Sequence, residues 1–103
     1  MRVQQPEVVT LCGSIRFAAE HLEAHRRLSL EGRVVLIPAL PVPGADSLPA
    51  DVEVLAALHR RKIDMSDRVH IVNTGGYVGP STASEVAYAE AAGKVVTYEH
   101  NAT

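Results

Sequence analysis

Ser81, Thr82 and Glu85 stand directly after a glycine-rich run, Gly75-Gly76-Tyr77-Val78-Gly79-Pro80. An apolar run, Val69 to Val72, leads in, and a helical pattern from Glu85 to Ala92 leads out. Glycines let a backbone approach a ligand closely. The first turn of a helix offers unpaired N–H groups and the positive end of its dipole to an anion. Two hydroxyls in that turn suit a phosphate. A carboxylate does not, so Glu85 needs its own explanation. Thr82-Ala83-Ser84-Glu85 matches a capping box, in which Glu folds back onto the N-cap amide. The other reading is a nucleophile: carboxylates attack the anomeric carbon of sugars and form a covalent glycosyl intermediate. A second acid would then protonate the leaving base. Asp64, Asp67 and His59 all lie just upstream and could supply it.

A second turn carries related chemistry. Gly13-Ser14-Ile15-Arg16-Phe17 combines backbone amides, a hydroxyl and a guanidinium, which together suit a phosphate. Alone the signal is weak, and an ordinary strand-to-helix turn with Ser14 as N-cap is the first reading. It is neither G-x-G-x-x-G nor a Walker loop, so neither NAD nor ATP is expected.

The elements that must position these turns follow from apolar patterning. Val8 to Cys12 is a short β-branched run, read as a central strand buried on both faces. Phe17, Leu22, Leu28 and Leu30 carry a helical pattern to Glu31, and Gly32 stops it. Val34 to Ile37 makes a second buried strand. Pro38 to Pro49 holds four prolines and a glycine, which predicts a long connection that either covers a pocket or merely links two elements. Asp51 is placed to cap the next helix, whose buried side is read as Val52, Leu55, Leu58 and Ile63. Arg68 to Asn73 is the third strand. The helix after it ends at Gly93, Lys94 to Tyr98 is a fourth strand, and residues 100–103 are expected to fray.

The layout is β-α-β-α-β-α-β in a single domain spanning 1–103. It predicts an α/β fold: a three-layer α/β/α sandwich, Rossmann/flavodoxin-like, with a four-stranded parallel sheet of order 2-1-3-4. Its switch point falls between the first and third strands, where both turns meet.

Composition narrows the function classes. With 4% aromatic residues and no Trp, platforms for stacking single-stranded bases are not expected. A net charge of -2 without a basic tail argues against a nucleic-acid polymer as partner. Cys12 is the lone cysteine, which rules out an intrachain disulfide and argues against a zinc cluster. No apolar run approaches a membrane span, and no apolar leader opens the sequence. A cytoplasmic protein without membrane contact is the expectation.

Three motifs then resemble a known family. Leu-Cys-Gly-Ser-Ile-Arg-Phe at 11–17, His-Arg-Arg-Lys-Ile-Asp-Met-Ser-Asp at 59–67 and Gly-Gly-Tyr-Val-Gly-Pro-Ser-Thr-Ala-Ser-Glu-Val-Ala-Tyr-Ala at 75–89 look like small bacterial relatives of the nucleoside 2-deoxyribosyltransferases. The superfamily includes 2′-deoxynucleoside 5′-phosphate N-hydrolases, and the resemblance runs from Val8 to Tyr98. It implies cleavage or transfer at the bond between base and sugar of a nucleoside or its 5′-monophosphate. Glu85 matches the position of the family's nucleophile. Gly13, Ser14, Ile15, Arg16, Gly76, Gly79, Ser81 and Thr82 would hold phosphate and sugar, with Tyr77 against sugar or base. The hydrolases keep an Asp on the helix before the third strand. That place falls near His59 here, with Asp64 as the other candidate. A fifth strand usual in the enzymes is not found after Tyr98. Family members pair, so a homodimer is implied, and the chemistry needs no metal or organic cofactor. The alternative is a catalytically silent nucleotide-binding or sensing module.

Overall fold

The structure, a computed structural model, describes residues 5–100. Four strands, β1 (Val8–Cys12), β2 (Val34–Leu36), β3 (Arg68–Ile71) and β4 (Val95–Tyr98), form one sheet of order β2-β1-β3-β4. All pairings are parallel: Val9 faces Val35 on one side and Arg68 on the other, and Arg68 faces Val95. Helix α1 (Ala18–Leu30) joins β1 to β2, α2 (Val52–Asp64) joins β2 to β3, and α3 (Pro80–Ala91) joins β3 to β4. This is the three-layer, Rossmann/flavodoxin-like α/β sandwich with its order as expected. Alternation along the strands builds two cores. Val9 and Leu11 pack with Ala24 and Leu28 of α1, while Cys12, Val69 and Ile71 pack with Ile63 of α2 and Ala89 of α3.

The strand positions follow the sequence reading except at β2. It lies at the sheet's edge, pairs only with β1, and is half-exposed rather than buried. The helix faces differ more. On α1 the buried column is His21, Ala24 and Leu28, a seven-residue span in helical register with Phe17, while Leu22 and Leu30 face outward. On α2 the buried residues are His59 and Ile63, and Val52 and Leu58 are exposed. In both helices a histidine occupies a core position that the leucines were expected to fill. The period of the helix, not the identity of its largest apolar residues, decides the face.

The two ends of the sheet are pinned differently. At the amino end Asp67 accepts from the Val8 amide at 2.8 Å, and its own amide donates to the Val8 carbonyl at 2.8 Å. Asp67 is therefore structural and sits away from the ligand side. At the carboxyl end Asn73 clamps His100, donating to its carbonyl at 2.8 Å and accepting from its amide at 2.9 Å. His100 is thus tied down rather than frayed; residues 101–103 lie outside the described residues.

Asp51 caps α2, accepting from the Glu53 amide at 2.8 Å. Asp51→Ala leaves that amide without its partner, and stability falls by about 1 kcal/mol. A lower urea midpoint at unchanged slope checks it. Among the described residues no helix is long and apolar enough to cross a membrane.

Candidate active site

A cleft of about 710 Å³ opens where β1 and β3 end. One wall is the turn Gly13-Ser14-Ile15, and another is the start of α3 with Gly79, Ser81, Thr82 and Glu85. Leu55 and His59 of α2 form the third side. Pro38, Ala39, Ser47 and Leu48 of the proline-rich connection close the fourth, so that connection shapes the cleft and does more than link two elements.

Inside the cleft, three side chains from three different elements converge. Cys12 Sγ lies 3.3 Å from His59 Nε2, and His59 Nε2 lies 3.9 Å from a Glu85 carboxylate oxygen. Burial pushes the Glu85 carboxyl up to about 7, against weaker downward effects from the Cys12 thiol and the Arg60 charge. Among the described residues no Lys or Arg forms an ion pair with it, so those two effects offset the loss of water only in part. Burial also pushes His59 down to about 4, with the Lys62 charge and then His21 adding to it. The ring is neutral at pH 7. Burial, followed by the Glu85 charge, raises the Cys12 thiol far above its ordinary range. The trio at neutral pH is therefore a thiol, a neutral imidazole and a carboxyl poised between its two forms.

The start of α3 decides what Glu85 is not. Pro80 is the first helical residue and Gly79 the N-cap, with no side-chain cap. Thr82 is therefore already inside the first turn and buried, and the expected Thr82–Glu85 capping box does not form. Pro80 moved the helix start upstream, because its fixed φ and missing N–H suit the first helical position. The first intrahelical bond runs from the Ala83 amide to the Gly79 carbonyl at 2.9 Å. The Ser81 and Thr82 amides precede it and point toward the cleft's end of the helix, with the dipole's positive pole.

Tyr77 bridges the two turns. Its ring lies across Gly79, where an added Cβ would come within 2.8 Å of the tyrosine oxygen. The Arg16 guanidinium sits 4.2 Å from the centre of the same ring, and Phe17 meets it edge-on at 6.0 Å. Arg16 thus stacks on the Tyr77 wall instead of lining the cleft floor.

Beneath the first turn lies His21, fully buried, with neither ring nitrogen hydrogen-bonded among the described residues. Burial makes the ring less basic; the backbones of Ser14 and Gly13, and the Glu20 charge, partly offset this without closing to a hydrogen bond. Ser14 itself caps a short 3-10 turn over Ile15–Phe17 and accepts from the Arg16 amide at 3.3 Å.

Of the sequence-predicted site residues, Gly13, Ser14, Ile15, His59, Tyr77, Gly79, Ser81, Thr82 and Glu85 all border the cleft. Arg16 and Gly76 do not, and neither does Asp64. Asp64 is the last residue of α2, exposed, and accepts from the Tyr88 hydroxyl at 2.7 Å. It reaches the cleft only through Tyr88. His59, one element of the same helix nearer its start, takes the place beside Glu85. The sequence reading missed Cys12 and His21. Cys12 had one signal, its place as the last residue of the central strand directly before Gly13. His21 had its register with Ala24 and Leu28.

The fold is a parallel α/β sandwich, and the cleft lies at its topological switch point, the place where such sheets commonly take ligands. No protein-family model matches the chain, and no curated protein matches it.

Proposed function

We propose that the cleft binds a nucleoside or deoxynucleoside 5′-monophosphate and cleaves the bond between its base and sugar, with Glu85 as nucleophile. One observation carries this: a largely buried carboxyl, with no Lys or Arg ion pair among the described residues, opens on the same cleft as the free amides of α3. Ser81 and Glu85 are four residues apart on that helix, about 6 Å along its axis. One ribose ring separates a 5′-phosphate from C1′ by a comparable reach. The phosphate sits on the Ser81 and Thr82 amides and hydroxyls, beside the Gly13–Ile15 turn, and C1′ faces Glu85.

The ionised Glu85 attacks C1′, forming an ester as the C1′–N bond breaks with its electron pair leaving on the base. The base takes a proton from solvent. Water then attacks C1′, delivers hydroxide there, releases sugar phosphate and restores the carboxylate. His59 is neutral and serves as a hydrogen-bond partner for the carboxyl or the base. Tyr77 flanks the sugar. This reading places the protein beside the nucleoside 2-deoxyribosyltransferase-like proteins, as a cytoplasmic homodimer. A second reading, binding without turnover, is favoured by the largely protonated state that burial allows Glu85 below pH 7.

The test is a panel of nucleoside 5′-monophosphates followed by chromatography for free base. Base release supports the enzyme. A ligand-dependent rise in melting temperature without release supports the binding module, and neither response across the panel overturns both. If Glu85 attacks as the carboxylate, release measured with chelator present rises with pH and levels off above about 7. A profile flat or falling between pH 5 and 9 would contradict that role.

A further inference from the structure

We propose that Cys12, His59 and Glu85 form a binding site for a zinc-class divalent cation, with its fourth position open to the cleft. The ligand atoms of the three residues lie within 4.8 Å of one another. Two of the separations are 3.3 and 3.9 Å. Tetrahedral zinc, with bonds of about 2.0–2.3 Å, needs its ligands about 3.3–3.8 Å apart. The third separation, Cys12 Sγ to the Glu85 carboxylate, is within 4.8 Å, so the trio would have to draw together by no more than about 1 Å to hold an ion.

Donor chemistry selects the metal. A thiolate, an imidazole nitrogen and a carboxylate suit zinc and its soft neighbours, and do not suit magnesium or calcium, which take all-oxygen shells. Three protein ligands with one open position is the arrangement of zinc sites that admit a further ligand. Access and burial agree with it. Glu85 and His59 border the cleft, and Cys12 lies behind them, fully buried. Charge supplies an independent argument. Glu85 is largely but not fully buried and has no Lys or Arg ion-pair partner among the described residues, and a divalent ion facing one thiolate and one carboxylate leaves the pocket neutral. On coordination the Cys12 thiol loses its proton to solvent and its sulfur takes the metal. Each ligand comes from a separate element: the end of β1, the middle of α2 and the first half of α3.

The site does not depend on glycosidase activity, but it has a consequence for it. A metal on Glu85 occupies the lone pair that would attack C1′, so zinc would act as a reversible inhibitor.

The experiment uses the full chain without a histidine tag, titrated with Co²⁺ and separately with Zn²⁺. One Co²⁺ per chain is expected, with the intense visible bands of a tetrahedral centre and a thiolate-to-cobalt charge-transfer band. Zn²⁺ abolishes both, and chelator restores the metal-free spectrum. Cys12→Ala loses the charge-transfer band. Glu85→Gln, a change at a partly exposed residue that keeps the fold if Cys12→Ala does not, weakens zinc by more than about tenfold. Cobalt bound without a charge-transfer band, binding equal in Glu85→Gln and the parent chain, or no stoichiometric binding would each overturn the proposal. These readouts are spectroscopic, so a chain that binds metal and releases no base separates this inference from the proposed activity.

Discussion

Glu85→Gln is expected to have two opposite effects: base release falls by about 10³-fold or more, while the folded state becomes more stable at alkaline pH. The first follows from losing the attacking oxygen. The second follows from burial. The folded Glu85 carboxyl is pushed from 4.5 to about 7, so its ionised form is disfavoured by folding. Below pH 4.5 the group is protonated in both states and has no effect on stability. Between 4.5 and 7 the unfolded chain ionises first, and stability declines. Above 7 the loss is complete, about 3 kcal/mol at 1.36 kcal/mol per pH unit. Glutamine cannot ionise, so the variant escapes that loss and keeps a side chain of the same size. Urea melts at pH 4 and pH 8, with chelator present, decide it. The variant should match the parent at pH 4 and exceed it by about 3 kcal/mol at pH 8. A uniform loss of about 1 kcal/mol at both values would instead mark Glu85 as a helix-capping residue.

The second large effect belongs to Gly13. A Cβ there would lie 2.6 Å from the Val72 carbonyl oxygen and 3.2 Å from the His21 ring. The first contact is with backbone of the strand end beside it, which cannot rotate away. The glycine's φ of +154° adds strain for any other residue. Gly13→Ala should therefore destabilise the protein by about 2–3 kcal/mol and disrupt the proposed nucleotide binding with it. Gly76 is the control. Its φ is +81°, yet an added Cβ meets nothing within 4 Å, so Gly76→Ala costs only the dihedral strain, about 1 kcal/mol. Equal losses at both positions, by urea denaturation, would show that the Val72 contact is not the cause.

Strand order, helix count and the meeting of the two turns were legible because β-branched runs, Gly32, Gly93 and the prolines punctuate the chain clearly. Helix faces were less so. His21 and His59 stand in core columns, and a pattern sought in leucines passes over them. The capping box failed for a local reason: Pro80 starts the helix two residues before Thr82, and spacing alone does not reveal the start. Asp64 stayed a candidate acid only on the chance that the helix was offset; it is the last residue of α2, and in a parallel crossover that end of the helix lies at the amino end of the next strand, away from the cleft. Cys12 drew no site role because a single cysteine has no partner cysteine in the sequence. Its partners come from α2 and α3, and only the crossover connections bring them to it.

That origin has a kinetic consequence. Cys12 and His59 are 47 residues apart, and Glu85 arrives from a third helix. Each of the three helices can begin to form through local contacts, but none of them alone assembles any part of the trio. The pocket chemistry appears only when non-local parallel pairing of β1 with β3 is complete, which is the slow class of folding event. A chain with native helices but without that pairing would lack the assembled trio, so the proposed nucleotide and metal binding would both emerge only in the last phase of folding, as a report that the chain has closed on itself.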